Sequence, residues 1–232
     1  MSEPDCPYVS RGGLKLAAAL DAFGLDPSGW VCADLGCSTG GFTDCLLQRG
    51  AAHVYAVDTA YGELAWKLRQ DERVTVLERT NALHFDPWRE LAGEGFAGCD
   101  LAVVDLGWTV QARAVPAALR WLREAGAPGV MGAPGVISLV KPHYESSDRA
   151  MGPGAAERGG GGRRGGRGGR GGRGRGRRGV LPEPEAARVV AAVLAAMPAL
   201  GVAAVAHTVS PIRGGKGGNI EYLAWLRRVA EA

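Results

Sequence analysis

The chain has 232 residues, of which 46% are hydrophobic, and a formal net charge of +3. This length and composition predict one domain with a substantial core. The N-terminus is acidic and polar, so we expect no secretory signal peptide. The uncharged run over residues 189–206 approaches the length of a membrane span, but Pro198 and Gly201 interrupt it, so helix, turn and strand are expected there.

The five cysteines include no C-x-x-C pair. An odd number of cysteines in a chain without a secretory signal indicates reduced thiols, so we expect a cytoplasmic protein. Cys32, Cys37 and Cys45 could in principle hold a metal, but Cys32 and Cys45 are expected to face the core and no histidine has ligand spacing nearby. We therefore expect no metal site.

The predicted elements alternate between helices and strands along most of the chain. An amphipathic helix follows the motif SRGG at residues 10–13, with Leu16, Leu20 and Phe23 on one face, and ends at Gly24. Strands are expected over residues 30–35, 53–58, 73–78, 101–105, 135–140, 202–209 and 220–226. Further helices are expected over residues 43–49, 62–70, 115–125 and 182–197, with a short one near 88–91.

The last two strands have no helix between them. The glycine-rich residues 211–218 join them, which suits an antiparallel hairpin better than a parallel crossover. The sequence therefore predicts an α/β three-layer sandwich, in which a seven-stranded, mostly parallel sheet has an antiparallel hairpin at one edge.

A glycine turn, DLGCSTGGF at residues 34–42, connects the first strand of the sheet to a helix. Strand, glycine turn and helix begin a nucleotide-binding βα unit, and the helix directs free N–H groups at a ligand. Gly36 allows the tight turn, and Gly40 and Gly41 allow a ligand to approach the backbone. Asp34 would repel a pyrophosphate but suits an ammonium group, such as that of S-adenosylmethionine. A turn that only connects two elements is the alternative.

Polar residues follow the strands at the edge of the sheet where ligands bind in open α/β folds. Asp34, Asp58, Asn81, Asp105 and Lys141 end or follow the first five strands in turn. Asp58 comes 22 residues after Gly36, where a ribose-binding carboxylate is expected.

Asp105 and Lys141 are expected to be neighbours if the first, fourth and fifth strands are adjacent in the usual order. They could form a structural ion pair, or a lysine with a lowered pKa could orient or deprotonate a hydroxyl there. Lys15 could be a solvated side chain, and Glu221 could lie on an exposed strand face. Alternatively, a carboxylate at Glu221 could hold the charge of a lysine.

An Arg/Gly segment, residues 158–179, contains nine arginines, thirteen glycines and nothing else. Without its nine charges the net charge would be 3 − 9 = −6. The segment has no apolar residue to bury, so we expect a disordered insert within a single domain over residues 1–232.

Several motifs resemble the hemolysin A (TlyA) branch of the FtsJ-like RNA methyltransferases, in the same order along the chain. They are SRGGLKL at residues 10–16, the run over 34–47, LAWKLR at 64–69, ERTN at 78–81, VDL at 104–106, LVKP at 139–142 and GNIEY at 218–222. The resemblance runs from about Tyr8 to Arg227, apart from the Arg/Gly segment. It implies the Rossmann-like fold of class I S-adenosylmethionine-dependent methyltransferases.

The family methylates a ribose 2′-hydroxyl of RNA, typically ribosomal RNA, and uses a Lys-Asp-Lys-Glu tetrad. Matching of the motifs to those of the family implies that the tetrad residues in this chain are Lys15, Asp105, Lys141 and Glu221. The resemblance implies that Lys141 activates the 2′-oxygen, that Asp105 and Lys15 steer the hydroxyl, and that Glu221 supports Lys141. The expected contacts of S-adenosylmethionine are Asp34, Gly36, Ser38, Thr39, Gly40, Gly41, Phe42, Asp58, Asn81 and Asp105.

Three differences from the family pattern bear on the substrate. Only nine residues precede Ser10, where the family usually carries an S4 RNA-binding domain, so this domain is expected to be missing. Gly107-Trp108 replaces the usual Ser-Phe after the tetrad aspartate, and the Arg/Gly segment follows Lys141. We expect the arginines of this segment to bind RNA phosphates without sequence preference.

The sequence thus predicts an RNA 2′-O-methyltransferase with ribosomal RNA or ribosomal subunits as partner. A non-catalytic RNA-binding or ribosome-assembly factor that retains the fold is the alternative. A membrane-active hemolysin is disfavoured because there is no amphipathic basic helix. A methyltransferase for small molecules or proteins is mildly disfavoured by the Arg/Gly segment.

Overall fold

The computed structural model describes residues 6–124, 135–145, 180–214 and 218–229. The described strands are β1 Val31–Leu35, β2 His53–Val57, β3 Val74–Leu77, β4 Leu101–Val104, β5 Gly135–Val140, β6 Val202–Val209 and β7 Tyr222–Arg228. The α-helices are α1 Gly12–Phe23, α2 Gly41–Gln48, α3 Trp66–Arg69, α4 Pro87–Glu90, α5 Gln111–Leu119, α6 Pro142–Glu145 and α7 Glu183–Ala195. The Arg/Gly segment lies outside the described residues, so its predicted disorder stays a prediction.

The strands form one mixed sheet in the order β3-β2-β1-β4-β5-β7-β6. The first five strands are parallel, and β7 runs antiparallel to both β5 and β6. Val140 at the end of β5 pairs with Tyr222 at the start of β7. The predicted seven-stranded sheet with an antiparallel edge hairpin is confirmed, and the hairpin is inserted so that its second strand contacts β5.

Helices cover both faces of the sheet because successive strand residues point to opposite sides. Ala33 and Val104 face a cluster that includes α5, α7 and the fully buried Trp121. Cys32 and Val103 face a second cluster, which includes α1 and α2. The burial of each large apolar side chain contributes about 1.5–3 kcal/mol. No helix within the described ranges is long and apolar enough to span a membrane.

The helix predicted over residues 62–70 is shorter in the structure, where only Trp66–Arg69 is helical. Gly62 has a φ of +80° and its N–H donates to the Glu78 carboxylate at 2.8 Å. The N–H of Ala65 donates to the carbonyl of Thr39 at 3.2 Å. These backbone N–H groups therefore hydrogen-bond to other parts of the chain and not within a helix. The local sequence pattern gives no indication of these partners.

The helix predicted over residues 115–125 begins and ends earlier, at Gln111 and Leu119. The free N–H of Gln111 donates to the Glu145 carboxylate at 2.8 Å, which stabilises the earlier start. After the helix, Trp121 and Arg123 hydrogen-bond to Cys99 at 2.7 and 3.1 Å, so the chain leaves the helical path. A long-range contact thus sets each end of this helix.

Candidate active site

A cleft of about 270 Å³ opens at the carboxyl ends of β1 and β4. Its wall is formed by the glycine turn, the start of α1, the end of β4 and the connection between β6 and β7. The lining residues are Ser10, Arg11, Gly12, Lys15, Asp34, Gly36, Cys37, Ser38, Thr39, Gly41, Phe42, Asp105, Ile212 and Arg213. Open α/β sheets bind ligands at this edge, so the cleft is the candidate active site.

The glycines of the turn are required by the packing of the chain itself. Gly36 and Gly40 have φ values of +91° and +96°, which favour glycine. A Cβ on Gly36 would lie 2.6 Å from the carbonyl oxygen of Asp105, and one on Gly41 would lie 2.3 Å from Oγ of Ser10. From the sequence, Gly40 and Gly41 are predicted to allow a ligand to approach the backbone. In the structure, neighbouring parts of the protein occupy the space that their side chains would need.

Asp34 is fully buried at the base of the cleft. One carboxylate oxygen accepts hydrogen bonds from the N–H of Thr43 at 2.9 Å and from its hydroxyl at 2.7 Å. The other oxygen has no hydrogen-bond partner among the described residues. Burial raises the pKa of Asp34 to about 7. An unpaired carboxylate oxygen at this place fits the ammonium group of S-adenosylmethionine.

Asp58 and Asn81 lie near the glycine turn, but neither is among the described residues that line the cleft. The Asp58 carboxylate accepts the N–H groups of Ser38 and Ala60, each at 2.8 Å, and so braces the turn. The Asn81 side chain is exposed and accepts the N–H of Leu83 at 3.0 Å. Their contact with a cofactor stays a prediction.

Asp105 and Lys141 form an ion pair across the ends of β4 and β5. Their side chains are 27% and 13% exposed, so the pair is partly desolvated, and Asp105 is the member of the pair that lines the cleft. The adjacency of the two residues was predicted from the strand order and is confirmed.

Trp108 lies beside this pair and is 77% exposed. Its ring stacks on that of Tyr144 at 5.1 Å, and the Lys141 ammonium lies 5.8 Å from the centroid of the Tyr144 ring. The φ of Trp108 is +57°, a value that is uncommon for a bulky residue. Backbone strain therefore accompanies the exposure of a large aromatic ring next to Lys141.

Lys15 and Glu221 form a second, more buried ion pair with an Nζ–Oε2 distance of 2.5 Å. The side chains are 13% and 5% exposed, and the pair joins α1 to the residue preceding β7. Glu221 was predicted inside a strand, with an exposed face as one alternative. That alternative is wrong, because β7 begins at Tyr222 and the Glu221 side chain is buried against Lys15.

The two ion pairs lie close to one further titratable group, His143. Burial lowers the pKa of its imidazole, Lys141 lowers it further, and Glu221 acts in the opposite direction. The imidazole is therefore neutral at neutral pH. Lysine and carboxylate charges balance within the tetrad, and His143 adds no further charge beside it.

The sequence reasoning did not assign a role to several residues of the cleft wall. Ser10, Arg11 and Gly12 belong to the SRGG motif, which was recognised as a motif but used only as the start of a helix. Ile212 and Arg213 come from the connection between β6 and β7, and no motif in the sequence around them marks them as cleft residues. Their membership of the cleft depends on the position of the edge hairpin.

The described part of the chain contains no group of three or more histidine, cysteine, aspartate or glutamate residues placed to hold a metal ion. Cys32, Cys37 and Cys45 are buried as free thiols. Burial raises the pKa of Cys45 to about 11, so this thiol is protonated at neutral pH.

The fold and the cleft are those of a Rossmann-like methyltransferase. The sequence profile of the FtsJ-like methyltransferases matches residues 8–158. The chain belongs to the FtsJ-like methyltransferase family.

Two relatives of known name are similar over nearly the whole chain. The 16S/23S rRNA (cytidine-2′-O)-methyltransferase TlyA of Mycobacterium tuberculosis is 39% identical over 230 residues, which are 98% of this chain and 71% of the relative. Hemolysin A of Brachyspira hyodysenteriae is 33% identical over 94% of this chain and 75% of its own length. The resemblance to the TlyA branch is confirmed.

Solved structures support the same assignment. A structure described as a hemolysin from Streptococcus thermophilus has a TM-score of 0.75 and 32% identity, over 99% of this chain and 70% of its own. The N-methyltransferase NodS from Bradyrhizobium japonicum has a TM-score of 0.52 at 13% identity, over 94% of this chain and 94% of its own. The second similarity shows the fold alone.

Proposed function

We propose that this protein transfers a methyl group from S-adenosylmethionine to a ribose 2′-hydroxyl of ribosomal RNA. Membership of the FtsJ-like family and the name of the M. tuberculosis relative support this function. The observation that carries it is the position of Asp105 and Lys15 in the wall of the cleft that contains the glycine turn. Each of them forms an ion pair there, Asp105 with Lys141 and Lys15 with Glu221.

The cofactor site that we propose lies on the glycine turn. Asp34 holds an ammonium group with its unpaired oxygen, and the N-terminus of α2 and the backbone of residues 36–42 surround the rest of the ligand. When bound, S-adenosylmethionine supplies an electrophilic methyl group on a sulfonium. The contacts predicted for Asp58 and Asn81 belong to the same proposal.

Lys141 and Asp105 act on the hydroxyl of the substrate. The Asp105 carboxylate fixes the ammonium of Lys141, and this pair orients the 2′-oxygen toward the cleft. When the 2′-oxygen takes the methyl group, the hydroxyl loses its proton, and Nζ of Lys141 is the group to which we assign acceptance of that proton. Positioning supplies much of the acceleration, and a base adds about 10²–10⁴-fold.

Lys15 and Glu221 hold the other side of the site. The Glu221 carboxylate is buried against Lys15, so it neutralises and positions that ammonium directly. The family resemblance implied that Glu221 supports Lys141. The observed ion pair favours support of Lys15, and we propose that Glu221 acts on the substrate hydroxyl through Lys15.

An RNA acceptor is supported by an aromatic pair near Lys141, of which Trp108 is exposed and Tyr144 is half-buried. Trp108 presents 77% of its surface and stacks on Tyr144, an arrangement suited to stacking with a nucleobase. We also propose that the nine arginines of the Arg/Gly segment bind RNA phosphates without sequence preference. The segment follows β5 in sequence, which tethers it to the edge of the sheet that carries Lys141. We place the protein in the cytoplasm, where ribosomal RNA is found.

The test is transfer of labelled methyl from S-adenosylmethionine to total rRNA and to isolated ribosomal subunits, with wild type and Lys141→Ala. We expect alkali-resistant label at one site, reduced at least 10²-fold in Lys141→Ala with cofactor binding retained. Lys67→Ala is the matched control, since Lys67 is 57% exposed and pairs with Asp44 outside the cleft. Label absent from every RNA, with S-adenosylmethionine still bound, would support a non-catalytic binding factor.

A further inference from the structure

Two arginines on the cleft wall have positive charges that no carboxylate of the described residues neutralises. Arg11 and Arg213 line the cleft, and neither forms an ion pair within the described residues. Arg213 donates one hydrogen bond, to the carbonyl of Gly218 at 3.3 Å. By contrast, the other cations of the site are paired, Lys15 with Glu221 and Lys141 with Asp105.

Helix α1 places Arg11 beside Lys15. Arg11 is the N-cap of α1, and residues four positions apart share one face of a helix. The SRGG motif, residues 10–13, packs directly on the glycine turn. The packing is so close that a Cβ on Gly41 would lie 2.3 Å from Oγ of Ser10. The first turn of α1 contains no acidic residue, so the positive end of the helix dipole adds to the charge of Arg11.

Arg213 reaches the same place from the connection between β6 and β7. It precedes Gly214, where an added Cβ would lie 2.0 Å from Oε1 of Glu221. The backbone of this connection therefore lies against Glu221, which holds Lys15. Arg11 and Arg213 thus line the cleft from the two segments that contain or contact the Lys15–Glu221 pair.

We propose that Arg11 and Arg213 bind the two phosphodiesters that flank the target ribose. This inference rests on the proposed function, because a ribose with its 2′-oxygen at Lys141 carries phosphates on its 3′ and 5′ sides. Two unpaired guanidinium groups match two phosphodiester charges, and arginine binds phosphate oxygens with two parallel hydrogen bonds. Such contacts set the register of the strand and leave sequence selection to other residues.

The competing ligand is the carboxylate of the cofactor, which would need one guanidinium group. Arg213 argues against that ligand, because it lies on the hairpin connection and not on the glycine turn. The two ligands predict different results. A phosphate clamp changes RNA binding and its salt dependence, whereas a carboxylate contact changes cofactor affinity alone.

The experiment uses the full chain with Arg11→Gln and Arg213→Gln, both at exposed positions. The affinity for isolated ribosomal RNA is measured at KCl concentrations from about 50 to about 200 mM, because the loss of phosphate contacts changes the salt dependence of the affinity over this range. We expect each substitution to raise Kd for RNA about tenfold and to reduce the salt slope by about 1. The affinity for S-adenosylhomocysteine should stay at the wild-type value.

Arg89→Gln is the matched control, because Arg89 is exposed on α4 and does not line the cleft. It should leave the RNA affinity, the salt slope and the cofactor affinity unchanged. Weaker binding of S-adenosylhomocysteine with an unchanged salt slope would overturn the clamp in favour of the carboxylate contact. Wild-type values in both arginine variants would also overturn it. Methyl transfer to RNA by the wild-type protein then distinguishes the two proposals. If the wild-type protein methylates RNA, only the phosphate clamp is wrong, and if it methylates no RNA, the proposed function is wrong.

Discussion

Asp34 combines complete burial with an unpaired carboxylate oxygen in the cleft. The pKa of a carboxylic acid is ordinarily about 4, and burial raises that of Asp34 to about 7. The folded protein therefore retains a proton that the unfolded chain releases between about pH 4 and pH 7. The contribution of Asp34 to stability is complete below pH 4 and is lost as the pH rises through 7.

Cofactor binding should depend on pH in the opposite direction. An ammonium group favours the ionised carboxylate, so we expect the affinity for S-adenosylhomocysteine to rise about tenfold between pH 5.5 and pH 7. The ligand's own ammonium remains charged over this range. Isothermal titration calorimetry of wild type and Asp34→Asn checks this, since the variant should bind weakly with little pH dependence. An equally steep pH dependence in Asp34→Asn would contradict the assignment.

The elements of the site are held together by contacts between segments that are far apart in the chain. Lys15 and Glu221 are separated by 206 residues, and their ion pair connects α1 to the start of β7. The connection between β6 and β7 closes over this pair at Gly214. The position of Lys15 therefore depends on the edge hairpin as well as on its own helix.

Gly214→Ala should disturb this arrangement, because the new Cβ would lie 2.0 Å from Oε1 of Glu221. We expect a loss of about 1–3 kcal/mol in the free energy of unfolding and a fall in methyl transfer of up to about 10²-fold. Urea denaturation and the methyl-transfer assay measure the two effects. Gly93→Ala is the control, since its Cβ would meet nothing within 4 Å, and it should change stability by less than about 0.5 kcal/mol. Full activity in Gly214→Ala would show that the closure over Glu221 is not needed.

At the scale of the whole molecule, positive charge is concentrated in one segment. The nine arginines of residues 158–179 account for more than the net charge of +3, and the rest of the chain carries 3 − 9 = −6. An acidic body repels the phosphate backbone over a distance of about 10 Å at 0.1 M salt. RNA binding should therefore depend on the Arg/Gly segment together with the local cations of the cleft.

Deletion of residues 158–179 should weaken RNA binding and reduce its salt dependence. If several of the nine arginines contact phosphates of single-stranded RNA, the slope of log affinity against log salt should fall by about 0.7 for each contact. Filter binding of rRNA to the full chain and to the deletion variant measures this, with S-adenosylhomocysteine affinity as the control for folding. Equal slopes would exclude a role of the segment in RNA binding.

The strands could be predicted from the sequence because they follow local apolar patterns. The apolar runs that end in Asp105 and Lys141 were located to within one residue, and the side-by-side arrangement of β4 and β5 followed from the usual strand order. The two wrong helix boundaries, at residues 62–70 and 115–125, lie where backbone groups bond to distant partners such as Glu78, Glu145 and Cys99. Local periodicity contains no information on such partners.

The sequence by itself determined the family and the glycine turn, because each depends on short motifs that can be read locally, and it predicted the four tetrad residues through the resemblance to that family. Only the tertiary structure decided that Glu221 holds Lys15 and that Arg213 joins the cleft. The physical reason is that these contacts depend on where β7 inserts between β5 and β6. That insertion depends on packing across the whole sheet rather than on any single stretch of residues.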